Sequence, residues 1–237
     1  MLNFLGRGSA FNIREGNNSA FIKENTELLL IDCGENIFER ILNKHLLHDI
    51  KNVHVLITHL DSDHVGSLSS LIYYCYYIKH IVVNIYFPHK SLYHLLHLHG
   101  HRDRHDYNFH YLNVNTNNFH RFAAITSIKP ISVSHIDTLK CFGYLLYLKS
   151  GRLIWYSGDC NKVSHVIYKY NIDEIYHDTC LADYSGNVHT SLKLLCKSIP
   201  KDKRNKVYCM HIDCDELIAK AQIEGFKVVE INKNILH

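Results

Sequence analysis

A run of histidine and aspartate residues at positions 58–64 is the feature that most constrains the fold of this chain. The run reads Thr-His-Leu-Asp-Ser-Asp-His and directly follows a short apolar segment, Val53–Ile57, which is predicted to be a buried strand. Polar groups just beyond a strand lie on a loop that a rigid sheet holds in place, where catalytic side chains commonly occur. The side chains in this run that can bind a cation are His59, Asp61, Asp63 and His64.

These side chains predict two neighbouring metal ions rather than one. Imidazole and carboxylate groups bind zinc at about 2.0–2.2 Å, and four of them around one tetrahedral ion would leave no room for water. Two-metal hydrolases share such ligands between ions about 3.5–4 Å apart. Two ions need further ligands, and three candidates follow apolar or β-branched segments: His135, Asp159 and His211.

Histidine identity alone does not select the ligands, because the chain has 20 histidines and most of them cannot bind the same metal site. His110 and His120 are alternatives to His135. Neither of them follows the same strand pattern, so His135 is the preferred candidate.

The order of the predicted elements indicates one α/β domain over residues 1–237. The chain is 46% hydrophobic, contains three prolines and shows no linker or repeat, which is typical of one compact unit. β-rich and βα segments follow each other twice, and this order favours two mixed sheets packed together with helices outside. Periodicity predicts strands at 2–5, 20–23, 27–32, 53–57, 81–87, 121–128, 141–148, 152–156, 174–177, 207–210 and 226–231, and helices at 35–45, 65–79, 91–99, 163–170, 190–198 and 215–223.

Residues 91–118 are a candidate lid or dimer segment. A helix is predicted at 91–99, and the polar, histidine-rich stretch at 100–118 is predicted to be an irregular loop. A solvated helix and loop without a role in function is an equally simple interpretation.

Composition narrows the possible partners and the compartment. A formal net charge of +3 is too small to indicate nucleic-acid binding. Residues 1–11 lack the charged and apolar regions of a signal peptide, and the apolar stretch at 71–77 is too short to span a membrane. The eight cysteines contain no Cys-x-x-Cys pair. We therefore expect a soluble cytoplasmic protein with reduced thiols and no membrane partner.

The ordered set of candidate ligands resembles the signature of the metallo-β-lactamase superfamily, His-x-His-x-Asp-His followed by His, Asp and His at strand ends. The resemblance extends from Phe4 to Asp213 and implies a four-layer αβ/βα sandwich of two mixed β-sheets with outer helices, with a dinuclear site at one edge. By this resemblance, one ion would be held by His59, Asp61 and His135, the other by Asp63, His64 and His211, and Asp159 would bridge both.

Asp61 departs from that signature, which has histidine at this position. A carboxylate oxygen is a harder ligand and moves the preference from zinc toward manganese or magnesium. We therefore expect two divalent ions, zinc as the first choice, with manganese or magnesium as alternatives at the Asp61 position. The other interpretation of Asp61 is a surface carboxylate that binds no metal.

Four further segments resemble the RNase Z branch of the superfamily: Phe4-Leu5-Gly6-Arg7-Gly8-Ser9, Asn17-Asn18-Ser19, Leu30-Ile31-Asp32-Cys33-Gly34 and Asn187-Val188-His189-Thr190-Ser191-Leu192. The resemblance implies that His189 protonates the leaving oxygen of a phosphodiester, with Asp63 as the other catalytic residue. A histidine with a structural hydrogen bond at a helix N-terminus is the alternative for His189. Asp178 or Asp183 could orient His189, and Asp32 is expected to tie the turn at Gly34.

Within that branch, the sequence resembles the phage anti-Pycsar phosphodiesterases. The motifs that carry this resemblance are Gly-Arg-Gly-Ser-Ala-Phe-Asn, Ser-Asp-His-Val-Gly-Ser-Leu and Gly-Asn-Val-His. The resemblance implies hydrolysis of cyclic nucleotides such as cyclic CMP and cyclic UMP by a homodimer in the host cytoplasm. Two alternatives remain: an RNase Z-type tRNA 3′-processing endonuclease, and a non-catalytic protein that sequesters the nucleotide.

Overall fold

Two six-stranded sheets form the centre of the computed structural model, which describes residues 1–113 and 122–231. The strands of each sheet lie side by side in chain order. The first sheet contains β1 (Asn3–Gly6), β2 (Ser19–Glu24), β3 (Glu27–Ile31), β4 (Asn52–Leu56), β5 (Val83–Phe87) and β6 (Tyr107–Tyr111). The second contains β7 (Ile125–Ser132), β8 (Phe142–Leu148), β9 (Leu153–Tyr156), β10 (Glu174–Asp178), β11 (Val207–Met210) and β12 (Lys227–Val228).

Both sheets are mixed and repeat one pairing pattern. The first three strands of each pair antiparallel, whereas the last three each pair parallel to the strand before them. Parallel neighbours need a crossover, and helices supply several of these connections. The carboxyl ends of the parallel strands β3 and β4 therefore lie at the same edge of the first sheet. Those of β9, β10 and β11 lie at the same edge of the second sheet.

Helices cover the outer faces of the two sheets. Leu146 of β8 belongs to the larger core cluster, which also contains Leu71. Its neighbour Leu145 belongs to a second cluster, together with Leu195 and Leu217. This alternation is expected of a strand buried on both faces. The helices are α1 (Ile37–Asn43), α2 (Ser62–Val65), α3 (Leu68–Tyr74), α4 (Ser91–Leu98), α5 (Val166–Lys169), α6 (Leu192–Ser198) and α7 (Asp215–Ile223), with a π-helical turn at Cys75–Lys79 and a 3₁₀ helix at Lys201–Lys206.

The predicted helix over 65–79 is wrong in its details. The chain forms α2, α3 and the π-helical turn in its place, with a break at Ser67. The Ser67 backbone N–H donates to the carbonyl of Cys33, and its hydroxyl accepts from the N–H of Phe38. These contacts with the segment after β3 explain the break, which periodicity does not reveal.

The prediction of an irregular loop over 100–118 is wrong for Tyr107–Tyr111, which forms β6 and pairs with β5. The turn before β6 is held by His101, whose Nδ1 lies 2.9 Å from Asp106 Oδ2 and whose Nε2 lies 2.6 Å from Ser69 Oγ on α3. Residues 114–118 lie outside the described residues. The role of 91–118 as a lid or dimer segment stays a prediction.

The predicted strand over 121–128 also differs, since β7 covers Ile125–Ser132. Within residues 1–113 and 122–231, no helix combines the length and apolar character needed to cross a bilayer. All eight cysteines are free thiols, six of them buried.

Candidate metal centre and catalytic site

Side chains from both sheets meet where the parallel strands end. The segment after β4 supplies the 59–64 run, the segments after β9 and β11 supply Asp159 and His211, and the β7–β8 connection supplies His135. The structure brings all seven predicted ligand residues together: His59, Asp61, Asp63, His64, His135, Asp159 and His211.

The group of Asp63, His64 and His211, here called the second position, is compact and buried. Nε2 of His64 and Nε2 of His211 each lie 3.3 Å from Asp63 Oδ2. Asp159 closes the group, with Oδ1 3.3 Å from His64 Nε2 and Oδ2 3.3 Å from His211 Nε2. The four ligand atoms all lie within 4.8 Å of one another, close enough to contact one cation.

The group of His59, Asp61 and His135, here called the first position, is more open. Asp61 Oδ2 lies 3.3 Å from Nε2 of both histidines, and the Asp61 side chain is 36% exposed. Asp159 Oδ2 lies 3.9 Å from His59 Nε2 and 4.0 Å from His135 Nε2. Asp159 therefore lies between the two positions.

The ligand atoms of this site are better arranged to bind divalent cations than to form hydrogen bonds with one another. Among residues 1–113 and 122–231, Nε2 of His59, Nε2 of His64 and Oδ1 of Asp159 are buried and have no hydrogen-bond partner. A buried polar group without a partner is destabilising by about 1–3 kcal/mol, which explains why such groups are rare. Nitrogen and carboxylate ligands converging on one centre are the set that zinc and similar divalent ions prefer.

Two buried carboxylates lie behind the second position. Asp32 Oδ2 lies 2.9 Å from His64 Nδ1, and Asp178 Oδ1 lies 3.5 Å from His211 Nδ1. Such a partner fixes the ring so that Nε2 faces the metal and makes that nitrogen more basic. Asp32 was expected to tie the turn at Gly34, but its carboxylate instead accepts from the Thr58 N–H and hydroxyl.

Neutral groups lie behind the first position. Thr58 Oγ1 lies 3.0 Å from His59 Nδ1, and the carbonyl of Val188 accepts from His135 Nδ1 at 2.9 Å. A hydroxyl or a carbonyl orients the ring but adds no full negative charge behind it. The histidines of the first position are therefore weaker bases than those of the second.

The pKa values of the second position reflect this density of carboxylates. Burial disfavours charge on both rings, yet Asp159 and the neighbouring carboxylates outweigh it, so the pKa of His64 is raised well above its usual value and that of His211 to about 10. Burial favours the neutral acid for Asp63 and Asp159, but the adjacent histidines lower the pKa of both carboxyls.

The pKa values of the first position diverge. Burial, and then the charge of His64, lower the pKa of His59. Burial also opposes charge on His135, but the hydrogen bond to Asp61 outweighs it and raises the pKa of His135. The hydrogen bond with His135, and then the proximity of His59, lower the pKa of Asp61 well below its usual value. The Asp61 carboxylate is thus ionised beside a neutral His59.

His189 lies at the edge of this cluster, on the segment before α6. Its Nδ1 lies 2.9 Å from Asp178 Oδ2, and its ring centroid lies 5.0 Å from that of His135 and 4.8 Å from that of His211. Asn187 Oδ1 accepts from the backbone N–H of His189 at 3.0 Å. With Nδ1 directed at Asp178 and the side chain 25% exposed, Nε2 is the nitrogen left to face a bound molecule.

The two carboxylates considered for orienting His189 have different partners. Asp178 is the one beside His189, whereas Asp183 contacts Ser191 Oγ and Lys193 Nζ, both at 2.8 Å. Of the alternatives to His135, His110 lies on β6 with Nε2 3.0 Å from Asn84. His120 lies outside the described residues.

Sequence reasoning missed the roles of Asp32 and Asp178 behind the ligand histidines. Both are completely buried, Asp32 directly after the apolar strand β3 and Asp178 as the last residue of β10. A carboxylate is unusual in such a buried place, and for Asp32 the preceding apolar run is the signal that could have identified it. The Val188 carbonyl had no sequence signal, because every residue carries one.

Comparison with known proteins places this geometry in a family context. The family model of the anti-Pycsar protein Apyc1 matches residues 1–233. Apyc1 of Bacillus phage BSP38 is 27% identical over 228 residues, which cover 89% of this chain and 88% of that protein.

Solved structures share the fold. A diphosphatase of the PhnP family has a TM-score of 0.75 at 18% identity, covering 97% of this chain and 94% of that one. The metallo-β-lactamase fold protein YhfI of Bacillus subtilis has a TM-score of 0.72 at 13% identity, covering 96% and 94%. The short form of human tRNase Z has a TM-score of 0.69 at 19% identity, covering 97% and 96%. The expected α/β sandwich of two mixed sheets is confirmed.

Proposed function

This chain belongs to the family of the anti-Pycsar protein Apyc1, and we propose that it is a metal-dependent phosphodiesterase that hydrolyses 3′,5′-cyclic nucleotides such as cyclic CMP and cyclic UMP to nucleoside monophosphates. The observation that carries this proposal is His189, which Asp178 holds beside the two converging groups of metal ligands. That arrangement combines sites for cations with a proton donor, as phosphodiester hydrolysis requires.

Seven residues of this chain would hold the cations, with Asp159 shared between the two positions. Two divalent cations bound there would activate water and neutralise charge on the phosphodiester oxygens. We propose zinc at the second position, whose ligands are two imidazoles and two carboxylates. Asp61 adds a harder oxygen ligand to the first position, which therefore accepts manganese or magnesium as well as zinc.

The remaining chemistry belongs to side chains. His189 donates a proton from Nε2 to the leaving oxygen as the bond from phosphorus to that oxygen breaks. Asp178 accepts the Nδ1 hydrogen of His189, so it fixes the ring orientation and leaves Nε2 as the nitrogen that can donate the proton. We propose that Asp63 contributes to catalysis as a ligand of the second position, where its Oδ2 lies 3.3 Å from Nε2 of both His64 and His211.

A small substrate suits this protein better than tRNA. The net charge of +3 provides little of the phosphate attraction on which nucleic-acid binding depends. As a phage relative suggests, the protein would act in the cytoplasm of an infected host. We also propose a homodimer, to be checked by light scattering of the purified protein.

The test is hydrolysis of a panel of 3′,5′-cyclic nucleotides, alongside a tRNA precursor, with metal analysis of the same sample. We expect linear monophosphates from cyclic CMP and cyclic UMP and an intact tRNA. His48→Ala is the matched control, because His48 is exposed and precedes β4 at the end opposite the site. Cleavage of the tRNA alone would favour the endonuclease, and a nucleotide bound and released unchanged would favour the sequestering protein.

His189→Ala tests the proton donor separately. We expect kcat to fall by about 10²–10⁴-fold, the usual contribution of a general acid, with the metal content unchanged. Full activity of this variant would show that another group protonates the leaving oxygen.

A further inference from the structure

A braced loop at residues 8–16 exposes two large apolar side chains. Phe11 is 96% exposed and Ile13 is 78% exposed. The loop is closed by a hydrogen bond from the Gly8 N–H to the Gly16 carbonyl at 2.7 Å, and the Arg7–Glu15 ion pair spans it at 2.6 Å. A closed loop presents an aromatic ring with little further loss of conformational entropy on binding.

The first end of this loop is attached beside His211. Backbone hydrogen bonds join the Ser9 N–H to the Ile212 carbonyl at 3.0 Å and the Ile212 N–H to the Arg7 carbonyl at 2.7 Å. The side-chain amide of Asn12 donates to the same Ile212 carbonyl at 3.0 Å. The start of the loop is therefore hydrogen-bonded to Ile212, the residue that follows His211, and His211 is a ligand of the second position.

The other end of the loop lies beside Asp63. Asn17 and Asn36 exchange hydrogen bonds between backbone N–H and side-chain oxygen, at 3.0 and 3.1 Å. Gly34, next to them, packs so closely on the Asp63 backbone that a Cβ there would overlap the Asp63 carbonyl and meet Asn17. Both ends of the loop are thus attached next to ligands of the second position, and Phe11 lies on the exposed part of the loop between them.

A second aromatic side chain stands on the loop that leads to His189. Tyr184 is 63% exposed in that loop, and the Leu181 N–H at the loop's start donates to Asp213 Oδ2 at 2.9 Å. The segment 211–213 therefore anchors both loops, with Phe11 on one and Tyr184 on the other.

We propose that Phe11 stacks on the nucleobase of the substrate, with Tyr184 as a second aromatic surface for the same nucleoside. This inference rests on the proposed function, because it places the base of the cyclic nucleotide against these two loops when the phosphate occupies the metal site. Stacking on a phenyl ring is tolerant of base identity, since every base has a π face. Phe11 therefore contributes affinity for any base, and specificity for one base must come from hydrogen bonds with other groups.

The experiment compares kcat and KM of the metal-loaded protein for cyclic CMP and for a base-free analogue, the 3′,5′-cyclic phosphate of 1-deoxyribose. We expect Phe11→Ala to raise KM for cyclic CMP by about tenfold, within the range of one aromatic stacking contact, without changing kcat. The same variant should leave the base-free substrate and the metal content unaffected. Phe11→Trp should restore KM because it restores the aromatic face.

Ile223→Ala is the matched control, since Ile223 is 84% exposed and lies at the far end of α7. It should change neither substrate's kinetics. Hydrolysis of cyclic CMP with an unchanged KM in Phe11→Ala would overturn the stacking proposal alone. An equal rise in KM for both substrates would also overturn it, because the effect would not depend on the base. Absence of cyclic nucleotide hydrolysis by the unaltered protein would overturn the proposed function and the stacking together.

Discussion

The two metal positions differ in burial and in the groups behind their histidines. In the second position every ligand is buried, and carboxylates of Asp32 and Asp178 lie behind His64 and His211. In the first position Asp61 is partly exposed, and a hydroxyl and a backbone carbonyl lie behind the histidines. The site thus combines one position whose ligands are buried and held by carboxylates with another whose ligands are more exposed and less constrained. We expect the second position to bind metal more tightly.

Asp159 is the residue whose loss should have the largest effect, because it lies between both positions. Asp159→Asn removes a full negative charge that faces histidines on both sides. We expect activity to fall by more than about 100-fold, beyond the 10–100-fold effects typical of groups behind metal ligands, and the metal content to fall at both positions. Hydrolysis rates and elemental analysis check this. Retention of one tightly bound metal would show that Asp159 serves a single position.

Asp32 should affect the second position selectively. Asp32→Asn keeps the shape but weakens the partner of His64 Nδ1, so we expect a loss of about 10–100-fold in metal affinity. Competition with a chelator measures the affinity of each equivalent of zinc. The effect should fall on the tighter equivalent, and an effect confined to the weaker one would reverse the assignment of the two positions.

Asp61 offers a change that should strengthen the weaker position. Asp61→His supplies the softer nitrogen ligand, and the 36% exposure of the side chain leaves space for a larger group. We expect the weaker zinc equivalent to bind about tenfold more tightly, the lower end of what changes around a metal ligand produce, and manganese to compete less well. Unchanged affinity for both metals would favour the surface-carboxylate interpretation of Asp61.

Much of the fold and of this cluster follows from local patterns. The 59–64 run, Asp159 and His211 come directly after apolar strands, so strand ends predict where they lie. The edge strand β6 was missed because its sequence, Tyr-Asn-Phe-His-Tyr, has mixed polarity. Its extended conformation depends on pairing with β5. The buried partners Asp32 and Asp178 depend on which strands become neighbours, and pairing between distant strands is not encoded in any local window.

Proton release on metal binding should give the smallest but most direct comparison of the two positions. In the metal-free protein the pKa of His64 and His211 is raised, to about 10 for His211, so both rings are protonated at neutral pH. The pKa of His59 is lowered, so its ring is already neutral there, whereas that of His135 is raised. Because metal displaces these protons, zinc should release about two protons at the second position and fewer at the first.

Calorimetric titration at pH 7 in two buffers of different ionisation enthalpy measures these protons for each equivalent of zinc. The sign follows from the raised pKa values: as pH rises toward 10, His211 loses its proton, so zinc affinity at the second position should increase more steeply than at the first. His48→Ala should leave both slopes unchanged. Equal proton release at the two positions would mean that their histidines have similar basicity in the metal-free protein, and that the carboxylates behind His64 and His211 do not distinguish them.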